Sequence, residues 1–342
     1  MSAILCHDAA IAGVSACVPP AAVDNLARCT PVCGPEKAAT AVKTTGFRTL
    51  RVAPPGCGTF DLCLAAARRA VGESPFSPAG FGALVAVTVT PGDEMPALAN
   101  RLHRALGFPP AAAALDIRAA CAGYVYGLHA AAMYAAATGR PVLLADGDVQ
   151  TSVADPADPA TLPVFSDAGT ATVVCPAAMC GAPPSTWRFA FLSEGDPSGA
   201  LRLPWGGRIA MDGFAVFRFA TGPALDFLRG FLSSAPADEP PPSVFVPHQA
   251  NMYMVRRIAQ ALGFAEDRVW TSGESYGNCG SASVPLTIAH CAAAAPHAPS
   301  PSSAPRRLFL GAFGGGLAAA AAAVDLPCGC PVSVFPLPQG DG

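Results

Sequence analysis

Residues 114–128 read ALDIRAACAGYVYGL. ALDI at 114–117 is a short apolar run of strand type, Arg118-Ala119-Ala120 makes a turn, and Cys121 opens a helix. That helix lies in a stretch, residues 119–139, with no Asp, Glu, Lys or Arg over 21 positions. It is mostly Ala and Gly, with few Leu, Ile or Phe and with His129 near its middle, so lipid would gain little from it. A buried helix in a crowded interior is the reading, with no membrane span. A strand feeding such a helix through a tight turn is the repeating unit of an α/β fold.

The flanking sequence repeats this grammar. Residues 81–89 (FGALVAVTV) and 141–145 (PVLLA) are β-branched or apolar runs of the kind covered on both faces of a sheet, and 168–174 is another strand. A helix is expected over 97–106, ending at Gly107. After Cys175 the Pro-rich segment PAAMCGAPPSTW marks a boundary between halves. Beyond it the spacing predicts helices over 217–232, 252–262 and 283–295 and strands over 243–246 and 308–312. The expected division is a first half at 1–176, a second at 186–326 and a flexible tail at 327–342, with residues 292–305 as a solvated connector.

Composition narrows the function. The 342 residues are 51% hydrophobic and 13% charged, about half the usual charged fraction. With 21 Lys+Arg against 24 Asp+Glu the net charge is −3, too little positive field to hold nucleic acid or an anionic membrane. Thirteen cysteines is an odd number in a chain far larger than a disulfide mini-protein, which predicts reduced thiols and a cytoplasmic setting. The first 20 residues lack a basic segment leading into an apolar run, so no secretory signal is expected.

Four segments can carry chemistry. Cys121 stands at a helix N-terminus, where the macrodipole and unpaired N–H groups favour thiolate, and its small neighbours leave room for a substrate. VPHQAN at 246–251 places His248 at a strand end, YGNCGS at 276–281 places Asn278 in a small-residue turn with an amide to donate, and GAFGGG at 311–316 can offer a backbone N–H to an oxyanion. Taken singly, each has a structural explanation: an inert core thiol, a hydrogen-bonded His, ordinary turn chemistry, a flexible loop. The Gly run lacks the spacing of a dinucleotide site, and no Walker A motif occurs. Cys279 resembles a papain-type nucleophile only superficially, because His290 and His297 follow it too closely. A zinc site from Cys328 and Cys330 with Cys29 and Cys33 matches no standard ligand spacing, so no metal is implied.

Together DIRAACAGYVYGL (116–128), FSDAGTATVV (165–174), VPHQAN (246–251), YGNCGSASVPL (276–286) and GAFGGGLAAAAAAV (311–324) resemble the ordered motifs of the 3-oxoacyl-(acyl-carrier-protein) synthase III family. The resemblance implies a thiolase fold, two pseudo-symmetric α/β halves layered α-β-α-β-α, and a homodimer. It implies that Cys121 accepts an acyl group from a thioester, while His248 and Asn278 bind the carbonyl of a malonyl-type extender for decarboxylative condensation in fatty acid or polyketide biosynthesis. The N–H groups of Cys121 and Gly315 would form the oxyanion hole, and Phe165, Met211 and Phe313 match acyl-channel positions. Asn251, Arg256 and Arg257 would contact pantetheine or an acidic acyl carrier protein. Substrates would be coenzyme A or phosphopantetheine thioesters, with no tightly bound cofactor.

Departures from the family pattern bear on the acyl donor. No Trp stands between Ala39 and Gly46, and Pro159 falls where a family Arg would be, so the usual adenine platform is missing and a carrier-delivered primer or an unusual acyl donor is favoured. Tyr253 replaces an Arg that often touches carrier protein. Acyl transfer to an alcohol or amine and thioester hydrolysis share the acyl-Cys121 step; retention of Cys121, His248 and Asn278 argues against a catalytically silent partner subunit, and a second Cys in the Gly-rich loop, expected of a biosynthetic thiolase, is missing.

Overall fold

Apolar runs become strands where both faces can be covered. The run at 81–89 forms Ala83–Val87, buried at all five positions. In the computed structural model, which describes residues 3–196, 198–294 and 305–338, this strand belongs to a six-stranded sheet. The order is Val332–Pro336, Ala9–Val18, Asp167–Pro176, Val142–Val149, Ala83–Val87, Ala113–Ile117. A five-stranded sheet is ordered Ile4–His7, Thr186–Ser193, Ala318–Leu326, Arg306–Gly314, Val244–Pro247.

The two sheets share one internal pattern. In the first, Ala83–Val87 runs parallel to Val142–Val149, which is antiparallel to Asp167–Pro176, itself antiparallel to Ala9–Val18. In the second, Val244–Pro247 runs parallel to Arg306–Gly314, then antiparallel to Ala318–Leu326 and Thr186–Ser193 in turn. The chain ends cross between the halves, unlike the simple division at 1–176 and 186–326. Ile4–His7 pairs with Thr186–Ser193, and Val332–Pro336 pairs in parallel with Ala9–Val18. The tail expected to be flexible therefore supplies an edge strand, because Val332 and Val334 pack on one core and Phe335 on another. Residues 295–304 of the connector and 339–342 of the tail lie outside the described residues.

Helices Gly123–Thr138 and Ser283–Ala294 lie between the sheets, in a core that includes strands of both. Thr59–Glu73 and Leu98–Leu106 cover the outer face of the first sheet, and Gly213–Thr221, Pro223–Ser233 and Met252–Ala261 that of the second. The result is the five-layer thiolase arrangement. The Gly-rich character of the first central helix follows from this position: a Cβ on Gly127 would meet the Leu144 side chain at 2.6 Å. The helix expected over 217–232 is two helices, because Pro223 lacks an N–H and starts a new one after Gly222. No described helix is long and apolar enough to cross a membrane.

Candidate active site

The two central helices begin alike. Each is preceded by a short 3₁₀ turn, Ala120–Ala122 or Gly280–Ala282, whose first residue is left-handed, with φ 44° at Ala120 and 61° at Gly280. That conformation costs a non-glycine residue on the order of 1 kcal/mol, so Ala120 marks a strained turn that aims the next side chain, Cys121. The two turns abut, since a Cβ on Gly123 would lie 3.4 Å from Ser281 Cβ. The end of the strand Arg306–Gly314 packs against the nucleophile's backbone: a Cβ on Gly314 would lie 2.8 Å from Cys121 Cβ and 3.1 Å from its nitrogen. Cys121 is 7% exposed and opens onto a cavity of about 910 Å³ that Gly315 also lines.

Burial corrects the expectation of a resting thiolate. Cys121 is pushed up to about 12, first by loss of solvent and then by Asp148 and Asp146, and the favourable backbone N–H only partly offsets this. At neutral pH the group is a thiol. Burial also drives Asp146 well above the usual carboxylate range, although the Ser281 hydroxyl donates to its Oδ1. Asp148 accepts from the Val89 and Thr90 N–H groups and the Thr88 and Thr90 hydroxyls, which oppose the same desolvation.

His248 follows the strand Val244–Pro247 and is 2% exposed. Its Nδ1 lies 2.8 Å from Ser283 Oγ, which also accepts the Gln249 N–H at 3.3 Å. In the tautomer protonated at Nε2, the Ser283 hydroxyl donates to Nδ1 while accepting the Gln249 N–H. Burial lowers the ring to about 4, so it is neutral at physiological pH. Phe313 packs edge-on against it, ring centroids 5.7 Å apart, and Gly314 is the next residue along. Gln249 pins the segment from below, donating to the Pro247 carbonyl and accepting from the Ser272 and Gly273 N–H groups.

Asn278 is 5% exposed. Its Oδ1 accepts the Gly280 N–H at 2.9 Å, which turns Nδ2 away as a free donor. Its backbone bonds Val164 and Ser166 of the first half on either side. Cys121, Asn278 and His248 thus sit on three backbone segments that touch one another: the two helix-opening turns and the strand end beneath Phe313.

Other predicted residues separate. Phe165 lines the cavity, whereas Met211 packs with Phe165 and Ile209 in a small cluster and Phe313 is in the core against His248. Asn251 caps the helix Met252–Ala261, its Oδ1 accepting the Met254 N–H at 2.7 Å, so a pantetheine would meet only its other end. Arg256 and Arg257 are exposed on that helix, and Arg256 makes a long 3.9 Å contact to Glu274. Cys279 is fully buried and its thiol is raised by desolvation, as befits a core residue. Among the described residues no group of three or more His, Cys, Asp or Glu can hold a metal ion. Sequence reading missed Leu201, Leu203, Ile209 and Gln150, which line the cavity. They lie on loops and strand ends without periodicity, so only the nearness of 142–152 to the nucleophile could have signalled them.

Comparison with known proteins decides the family. The models "3-Oxoacyl-[acyl-carrier-protein (ACP)] synthase III" and "3-Oxoacyl-[acyl-carrier-protein (ACP)] synthase III C terminal" match residues 115–186 and 242–326. Beta-ketoacyl-[acyl-carrier-protein] synthase III 2 of Streptomyces coelicolor is 32% identical, over 92% of this chain and 93% of that protein. The chain belongs to the 3-oxoacyl-(acyl-carrier-protein) synthase III family. Acetoacetyl CoA synthase NphT7 of Streptomyces sp. (strain CL190) is 31% identical over 83% of this chain and 88% of its own. The crystal structure of a 3-oxoacyl-(acyl-carrier protein) synthase from Burkholderia xenovorans superposes with a TM-score of 0.90 at 26% identity, covering 98% of this chain and 99% of that one. The synthase is accordingly an acyltransferase of the condensing class, and its fold is that of its family.

Proposed function

We propose that Cys121 takes the acyl group of a coenzyme A or carrier-bound thioester and that His248 and Asn278 then direct its condensation with a malonyl-type thioester. What supports this reading is the adjoining placement of the cavity-lining Cys121, the Asn278 segment just before the second central helix, and His248 at the end of the strand Val244–Pro247.

The chemistry follows from the low polarity of the site. Cys121 Sγ attacks the donor carbonyl, the S–C bond to the carrier breaks, and the thiol proton leaves with the departing thiol, so no charge remains on the resting acyl-enzyme. Loss of CO2 from the extender moves the C–C bonding pair into an enolate, whose oxygen receives the His248 and Asn278 hydrogen bonds. The enolate carbon attacks the acyl carbonyl, and the resulting oxyanion faces the N–H groups of Cys121 and Gly315. Collapse expels the Cys121 thiolate, which takes up a proton. Each donor of this type contributes about 10²- to 10³-fold in rate. No tightly bound cofactor enters any step.

Two partners fit the surface. Strand Ala113–Ile117 ends the six-stranded sheet with an open, half-buried edge, which supports pairing with a second copy into a homodimer. Exposed Arg256 and Arg257 suit an acidic acyl carrier protein.

Purified protein incubated with an acyl-coenzyme A panel and malonyl thioesters of coenzyme A and carrier protein tests the reading. Formation of a 3-oxoacyl thioester with one CO2 per turnover is expected. Release of free acid alone would make the protein a hydrolase.

A further inference from the structure

Gln150 has no part in the steps above, yet it is 3% exposed and lines the cavity onto which Cys121 opens. It follows the strand Val142–Val149, which carries Asp146 and Asp148 on one face, and opens the turn Gln150–Ser152. Each aspartate has one hydrogen-bonded oxygen, through Ser281 or through the Thr88 to Thr90 segment, and one buried oxygen without a partner among the described residues, but neither lines the cavity. Gln150 Oε1 has no hydrogen-bond partner among the described residues, and no other side chain lining the cavity has a buried polar atom in that condition. The neighbouring hydroxyls are engaged: Thr59 and Thr90 bond each other at 2.9 Å, both accept the Val149 N–H, and Ser152 donates to the Val149 carbonyl. The rest of the wall near it is hydrocarbon from Val153, Phe165, Leu201 and Ile209.

An enclosed amide without a partner is costly, and a ligand group that satisfies it gains selectivity over one that does not. We propose that Gln150 is a specificity-determining residue whose amide hydrogen-bonds a hydroxyl on the acyl chain carried by Cys121. A hydroxyl both donates and accepts, so it satisfies the amide whichever way the group is turned. The preferred primer is therefore a hydroxyacyl thioester, its remaining carbons resting on the apolar side of the cavity. This rests on the acyl-Cys121 reading.

The test compares rates of Cys121 acylation, by intact mass, from butyryl-coenzyme A and its 2-, 3- and 4-hydroxy derivatives. At least one hydroxy isomer is expected to react about tenfold faster than butyryl or more. In Gln150→Met, which keeps the volume and removes the amide, that ratio is expected to fall to about one or below. Equal or faster acylation by butyryl than by every hydroxy isomer in the native protein overturns the proposal without the variant. A preference that survives in Gln150→Met also overturns it. Absence of any acyl adduct on Cys121, with all four thioesters and with longer acyl donors, would instead overturn the acyltransfer reading beneath it.

Discussion

Ser283 Oγ stands 2.8 Å from Nδ1 of His248 and at the same time accepts the Gln249 N–H. This contact orients the ring, and in the tautomer protonated at Nε2 the Ser283 hydroxyl donates to Nδ1. Ser283→Ala removes that orientation but leaves the Cys121 turn untouched. Condensation is expected to fall by about 10- to 100-fold while acylation of Cys121 stays within about threefold of native. Equal losses in both half-reactions would show that Ser283 supports the fold rather than the ring.

Gly314 is the closest neighbour of the nucleophile on the opposite loop. A methyl group there has no place to go, since its contacts at 2.8 and 3.1 Å are to Cβ and backbone of Cys121 rather than to a flexible chain end. Gly314→Ala is expected to slow acylation of Cys121 by at least about tenfold through displacement of the sulfur. Near-native acylation would mean that the loop shifts freely and contributes nothing to placing Cys121.

The raised Cys121 value sets a pH signature. Alkylation follows the thiolate fraction, so with the group near 12 the rate of Cys121 modification by iodoacetamide should climb about tenfold per pH unit between 7 and 10 with no plateau. Peptide mapping of the modified Cys121 separates it from the other thiols. A plateau below pH 8 would reveal a resting thiolate.

Protonation of His248 links the site to stability. The folded ring is lowered to about 4, so below the ordinary value of about 6.5 the unfolded chain takes up a proton that the folded one refuses, and stability is lost as pH falls through that window. The buried Asp146, Asp148 and Asp167 are raised and act in the opposite sense there, so the effect is read as a difference. Between pH 7 and 4.5, His248→Gln should gain about 2 kcal/mol of unfolding free energy relative to native. An unchanged difference would place a charged or exposed imidazole at this position.

The sequence is legible where local chemistry and fold agree. The strand, turn and helix around Cys121 could be read because an apolar run, three small residues and a charge-free stretch can hardly be arranged otherwise in a soluble core. The strand Ala318–Leu326 could not. Its alanines favour helix, and only pairing on both edges, with Arg306–Gly314 and Thr186–Ser193, makes it a strand. The same holds for the tail strand Val332–Pro336, whose partner lies more than 300 residues earlier. At the site, His248, Asn278, Met211 and Phe313 were marked by their motifs, but a motif gives a side chain's neighbourhood and not its direction, and of the expected acyl-channel residues only Phe165 lines the cavity onto which Cys121 opens. Gln150 was passed over for a related reason: a glutamine after a strand reads as surface until the turn Gln150–Ser152 is seen to fold it inward.

The central claim is that one sulfur carries the acyl group between two thioesters. Intact-mass and peptide-mapped analysis of the native protein after exposure to an acyl thioester, followed by a malonyl thioester chase, measures it directly. The account predicts a single acyl adduct on Cys121 that disappears on the chase as a 3-oxoacyl product forms, no adduct in Cys121→Ala, and an adduct that persists through the chase in His248→Ala and Asn278→Ala. An adduct on another residue, or one that His248→Ala and Asn278→Ala discharge into product at the native rate, would contradict it.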